Sequence, residues 1–139
     1  MENTKPQSFQ DVKVFASNNV HTAADASYKN LIWESFETVT RNKQIATIPN
    51  WGPEYSVAFY ITVRSASPGW NSILHFTTDG NCCYLGQRIP AIFYHSAGHI
   101  RVDSSVNEHG DFYVNYDIDL GKWYQIEIVQ EKNKNGKVR

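Results

Sequence analysis

Tyr55-Ser56-Val57-Ala58-Phe59-Tyr60-Ile61-Thr62-Val63-Arg64 is the stretch that decides the fold class. Tyr55, Val57, Phe59, Ile61 and Val63 form one apolar face, and Ser56, Thr62 and Arg64 lie on the other. Successive side chains of a strand point to opposite faces, so this alternation predicts an extended segment with one face buried. Beyond it, Pro68-Gly69 reads as a turn, residues 72–78 as a second strand, and Asp79-Gly80 as its end. Residues 89–95, 99–105 and 112–120 continue the series, separated by Ala97-Gly98 and by Asn107-Glu108-His109-Gly110. In the last of these, Phe112, Val114, Tyr116, Ile118 and Leu120 face one way and Tyr113, Asn115, Asp117 and Asp119 the other, which predicts a half-buried strand. Residues 122–130 alternate likewise, and Asn133-Lys134-Asn135-Gly136 then supplies the Asn-Gly signal of a tight hairpin. The returning strand of that hairpin would lie past Arg139.

Towards the N-terminus, residues 9–16 and 28–36 read as strands, with at most a short helical turn over 17–27. Residues 45–51 are a shorter candidate, ended by Gly52-Pro53. About nine short strands without a helix predict an all-β protein, an antiparallel two-sheet sandwich or a barrel, because alternating faces must be buried against a second layer.

At 139 residues the chain suits one domain. A net charge of −1 with 19% charged residues lacks the clustered Lys and Arg that displace counterions from phosphates, so no nucleic-acid partner is expected. Lys132, Lys134, Lys137 and Arg139 are interrupted by Asn and Gly and read as a solvated turn. No run approaches the roughly 20 apolar residues of a membrane span, and Met1-Glu2-Asn3-Thr4-Lys5-Pro6 lacks the apolar core of a signal peptide. No membrane insertion is expected. Cys82 and Cys83, the only cysteines, are neighbours. They are compatible with a vicinal disulfide, with bonds to another chain, or with two free thiols.

Four Trp, eight Tyr and seven Phe suit both sheet cores and flat stacking surfaces. Trp70, beside Pro68-Gly69, and Trp51, beside Gly52-Pro53, are the candidate ligand platforms; either would equally plug the end of a sandwich. Arg88 has a planar fork for a carboxylate or sugar, or a loop to tie to the sheet. For catalysis the nearest approach to a carboxylate pair is Asp117 and Asp119, which read more simply as the solvated face of an alternating strand. His75, His95, His99 and His109 are scattered and compose neither a triad nor a metal set. No catalytic residues are assigned.

The run from Trp70 to Gly80 (Trp-Asn-Ser-Ile-Leu-His-Phe-Thr-Thr-Asp-Gly), followed by Gly86-Gln87-Arg88-Ile89-Pro90-Ala91-Ile92-Phe93-Tyr94, resembles laminin-G-like modules of the concanavalin A-like lectin and glucanase superfamily. Gly121-Lys122-Trp123-Tyr124-Gln125-Ile126-Glu127-Ile128 is similar to the family strand that enters through a Trp after a polar turn. The resemblance implies a jelly-roll sandwich in an extracellular parent protein. It would work as a non-catalytic recognition or adhesion module for a glycan or protein ligand. The glucanase pattern Glu-x-Asp-x-x-Glu is absent, which leaves a glycoside hydrolase as the remote alternative. Many such modules hold calcium with Asp, Asn and backbone oxygens, and Asp79, Asn81, Asp103 and Asn107 are the corresponding donors near turns.

The order of the parts differs from the family. Segments resembling its closing elements, residues 3–16 and 28–33, come first here, as in a circularly permuted module joined around 38–45 or a tandem array cut out of phase. Judged by the family pattern, about one strand is missing between the two ends. The resemblance therefore implies an edge at Tyr124, Ile126, Ile128, Val12 and Val14, which either binds a complementary β-strand segment, or another copy, by strand addition, or belongs to a trimmed fragment whose gap is filled by water or a neighbouring molecule.

Overall fold

The computed structural model describes residues 13–17, 31–34, 43–133, 135 and 137, the first two segments as backbone. Eight strands run in order: β1 (Lys13–Ser17), β2 (Leu31–Glu34), β3 (Tyr55–Thr62), β4 (Trp70–His75), β5 (Ala91–His95), β6 (His99–Val106), β7 (His109–Asp117) and β8 (Trp123–Gln130). The described residues contain no helix. They form two antiparallel sheets, ordered β2-β1-β3-β8 and β4-β5-β6-β7, so the chain is all-β with the element set of a sandwich. It divides into two compact units, Met1–Ile61 with Trp123–Arg139, and Thr62–Lys122.

In the first unit β3 is buried on both faces over its first half. Tyr55, Val57 and Phe59 are inside as the alternation requires, and Ser56 and Ala58 are inside too, small enough to sit beneath a covering layer. The Tyr55 hydroxyl donates to Gln130 Oε1 (3.0 Å), and Gln130 Nε2 donates to the Pro53 carbonyl (2.8 Å). These bonds satisfy polar groups that would otherwise be buried at a loss. Trp51 stacks on the Tyr55 ring at 5.2 Å.

Two expectations change here. Residues 45–51 are irregular rather than a strand: Pro49 has no N–H to give to a ladder, and Asn50, at φ 57°, turns the chain instead of extending it. Val14 is no edge residue, because β1 lies between β2 and β3 with Val14 opposite Trp33. β8 stands at the end of its sheet beside β3, with Tyr124, Ile126 and Ile128 half-buried. Val12, residues 18–27 and most of the proposed joint at 38–45 lie outside the described residues. After β8 the chain does turn: Asn133 N–H donates to the Lys137 carbonyl (2.7 Å), and Asn133 Oδ1 accepts from the N–H groups of Asn135 and Lys137.

In the second unit Ile92, Tyr94, Ile100 and Val102 alternate into the buried face of the sheet. β5 and β6 are joined through Gly98, whose φ of 100° suits a residue without a Cβ and whose N–H donates to the His95 carbonyl. β7 departs from its expected burial. Phe112, Val114 and Tyr116 are exposed, and of the predicted apolar face only Ile118 is buried. The reason is position: β7 is the outermost strand of its sheet.

Past β7, Lys122 Nζ bonds Asp119 Oδ2 at 2.6 Å. The hydrogen bond first, and the lysine charge second, hold the Asp119 carboxyl below its ordinary value of 3.8. A folded-state pKa depressed in this way contributes stability above the unfolded pKa, and that contribution is lost as pH falls through the lower folded value. Both groups are exposed, so the effect on stability is small. In a carboxyl NMR titration, Lys122→Ala is expected to return Asp119 to the ordinary range. An unchanged midpoint would refute the pairing.

Candidate ligand-binding site

On the face of the second sheet opposite Ile92 and Ile100, the ladder register gathers a set of flat side chains. Trp70 of β4 lies opposite His95 of β5, His95 opposite His99 of β6, Phe93 opposite Arg101, and Asp103 opposite Tyr113 of β7. The two imidazoles stack, with centroids 5.1 Å apart and planes 14° from parallel. Trp70 meets both edge-on, at 4.7 Å from His95 and 5.5 Å from His99. The Arg101 guanidinium sits 3.8 Å above the Tyr113 ring and 5.5 Å from the Trp70 ring. The face is open at both flanks, where Trp70 is 50% and Tyr113 51% exposed.

Beneath the rings lies an ion cluster. Asp103, with no solvent exposure, accepts from Arg101 Nε at 2.9 and 3.0 Å and from Nη2 at 2.7 Å, and Arg88 Nη1 stands 3.5 Å away. This fork fixes the plane of the Arg101 guanidinium, and with it the cation between Trp70 and Tyr113. The site is therefore organised before any ligand arrives, which reduces the entropy lost on binding.

Arg88 belongs to the support rather than to the open surface. Its guanidinium lies 5.1 Å over Phe93, and Nη2 donates to the Asn81 carbonyl at 3.5 Å. It thereby joins the 79–88 loop to the sheet. The loop carries a disulfide between Cys82 and Cys83, with Cα atoms 3.7 Å apart. Gln87 folds it inward, its Oε1 accepting from the Cys82 N–H and its backbone N–H donating to the Tyr84 carbonyl. Trp51, half-buried against Tyr55, lies in the first unit.

The proposed calcium donors come from three places: Asp79 and Asn81 from the loop after β4, Asp103 from β6, and Asn107 from the β6–β7 hairpin. The Asp103 carboxylate accepts from the Arg101 guanidinium and pairs with that of Arg88, a positive surrounding that disfavours a hard cation. The Asn81 carbonyl accepts from Arg88, and Asn107 turns the β6–β7 hairpin at φ 55°. Among the described residues no group of three or more His, Cys, Asp or Glu is placed to hold a metal. Asp117 lies opposite His99, while Asp119 is bound to Lys122.

Of the rings on this face, the sequence assigns only Trp70 to a ligand; it weighs His95 and His99 only as triad or metal members and does not single out Arg101 or Tyr113, although His95-Ser96-Ala97-Gly98-His99 carries a usable signal. A tight turn at Gly98 brings the two flanking residues opposite each other.

No protein-family model matches the chain, and no curated protein or solved structure does either.

Proposed function

We propose that this chain is a non-catalytic recognition module of laminin-G-like, jelly-roll type, extracellular in its parent protein, that binds a glycan across the Trp70–Tyr113 face. The observation that carries the reading is an exposed indole and an exposed phenol on either side of an arginine fixed by a buried carboxylate. The apolar C–H face of a pyranose packs on such rings, and its hydroxyls take the planar hydrogen bonders beside them. His95 and His99 extend the polar rim next to Trp70.

The test is a glycan array probed with wild type and with Trp70→Ala, in calcium and in chelator. At least one glycan is expected to bind wild type, and Trp70→Ala is expected to weaken it about tenfold or more, the loss of one aromatic anchor. The melting temperature should change little, because the removed indole is half in water. An array with no binding in either buffer, or equal binding by the variant, would sink the reading.

A further inference from the structure

β7 is the last strand of the order β4-β5-β6-β7, and its partner within the sheet is β6. A strand in that place presents a row of backbone N–H and C=O groups on its outer side, and natural edges blunt such a row with short length, Lys or Pro. β7 does none of these. It runs nine residues, His109-Gly110-Asp111-Phe112-Tyr113-Val114-Asn115-Tyr116-Asp117, without Lys, Arg or Pro. Its one register shift lies near its start, which leaves Phe112 to Asp117 regular against β6. On one face of that regular part Phe112, Val114 and Tyr116 are 54%, 37% and 61% exposed. Aromatic and β-branched residues are those that gain most from a cross-strand neighbour. Asp117, exposed, closes the regular part, and Asp111, also exposed, stands just before it at the register shift.

We propose that the outer edge of β7 binds an extended partner segment by antiparallel strand addition. That segment is apolar at alternate positions and basic at both ends. The backbone row specifies an extended chain, the Phe112-Val114-Tyr116 row specifies apolar alternation, and the terminal aspartates specify the charges. A second copy fits worse. Two β7 strands paired antiparallel about Val114 would set Asp111 opposite Asp117 of the other copy at both ends, and like charges directly opposite each other destabilise a pair. This edge adjoins the Trp70 face through Tyr113 and Asp117, but its probe carries no sugar, so its failure and that of the glycan reading are told apart.

The probe is a capped heptapeptide with lysine at both ends, valine at the second, fourth and sixth positions, and threonine between, titrated while backbone amide NMR shifts are followed. Saturable shifts are expected along β7. Replacing the lysines with glutamates is expected to weaken binding at least fivefold, and methylating alternate backbone nitrogens to abolish it. Val114→Lys is expected to weaken binding at least tenfold, with Tyr116→Lys, at a more exposed position, as the second variant should the first fail to fold. Three results would each overturn the proposal: no saturable shifts at β7, equal binding of the methylated peptide, or equal binding by both folded variants. So would a concentration-dependent dimer that Tyr116→Lys dissociates, since the occupant would then be a second copy.

Discussion

Asp103→Ala is expected to lower the unfolding free energy by about 3–5 kcal/mol, the usual effect of removing one partner from a buried ion pair. The carboxylate has no solvent exposure and is shared by Arg101 and Arg88, whose side chains are themselves mostly covered. Without it the Arg88 and Arg101 guanidiniums, whose side chains are only 16% and 21% exposed, lose the carboxylate they share while still held against Phe93 and Tyr113. Asp103→Asn separates charge from hydrogen bonding. The amide oxygen still accepts from Arg101 Nε, so the expected loss is smaller than for alanine yet clear of zero. Urea unfolding with a common slope measures both. The functional consequence follows from the same contacts: once the fork is gone, Arg101 is no longer fixed between Trp70 and Tyr113, so any ligand affinity should fall further than stability alone dictates. Stability within about 0.5 kcal/mol of wild type for Asp103→Ala would place the cluster among ordinary surface pairs and remove the argument for a preorganised face.

Alternation made the strands legible because the period-two pattern reports a physical constraint, one face in and one face out. It located β3, β5, β6 and β8 to within about two residues, the ordinary uncertainty of element ends. It failed at 45–51, where the apolar pattern was outweighed by a proline without a donor and an asparagine with positive φ. It also misjudged β7. Alternation says which residues share a face, but not whether a neighbour covers that face, and Phe112, Val114 and Tyr116 lie on an outermost strand. The candidate site was harder still. Trp70 was visible through its turn, whereas the partners that make it a site come from three other strands and meet it through cross-strand register. The spacing of Arg101 and Asp103, two apart on one strand, placed them on one face. Nothing in the sequence said that this face would bury the carboxylate and leave the rings in water.

Gly110→Ala tests how the disulfide loop is held. A Cβ at Gly110 would fall onto the Cys83 carbonyl oxygen, 2.7 Å from the Cys83 carbonyl carbon and 2.9 Å from that of Tyr84. These are backbone atoms, so no side-chain rotation relieves the overlap; either the loop or the start of β7 must move. Movement breaks a relay of hydrogen bonds in which the Gly86 N–H donates to Ser105 Oγ (3.1 Å) and Ser105 Oγ donates to the Gly110 carbonyl (3.2 Å). The expected loss is about 1–3 kcal/mol, as for overpacking elsewhere, read as a fall in melting temperature of roughly 4 °C or more. Amide shifts should change at 82–86 while the β5–β6 hairpin is undisturbed. Gly69→Ala is the control: its φ is 83° but nothing lies within 4 Å of the added Cβ, so only the left-handed backbone penalty of about 1–2 kcal/mol applies, and the 82–86 amides should keep their positions. A Gly110→Ala protein with wild-type melting and unshifted 82–86 amides would mean that the loop does not rest on the β6–β7 hairpin. Arg88, anchored to that loop through Asn81, would then lose its fixed position beside Asp103.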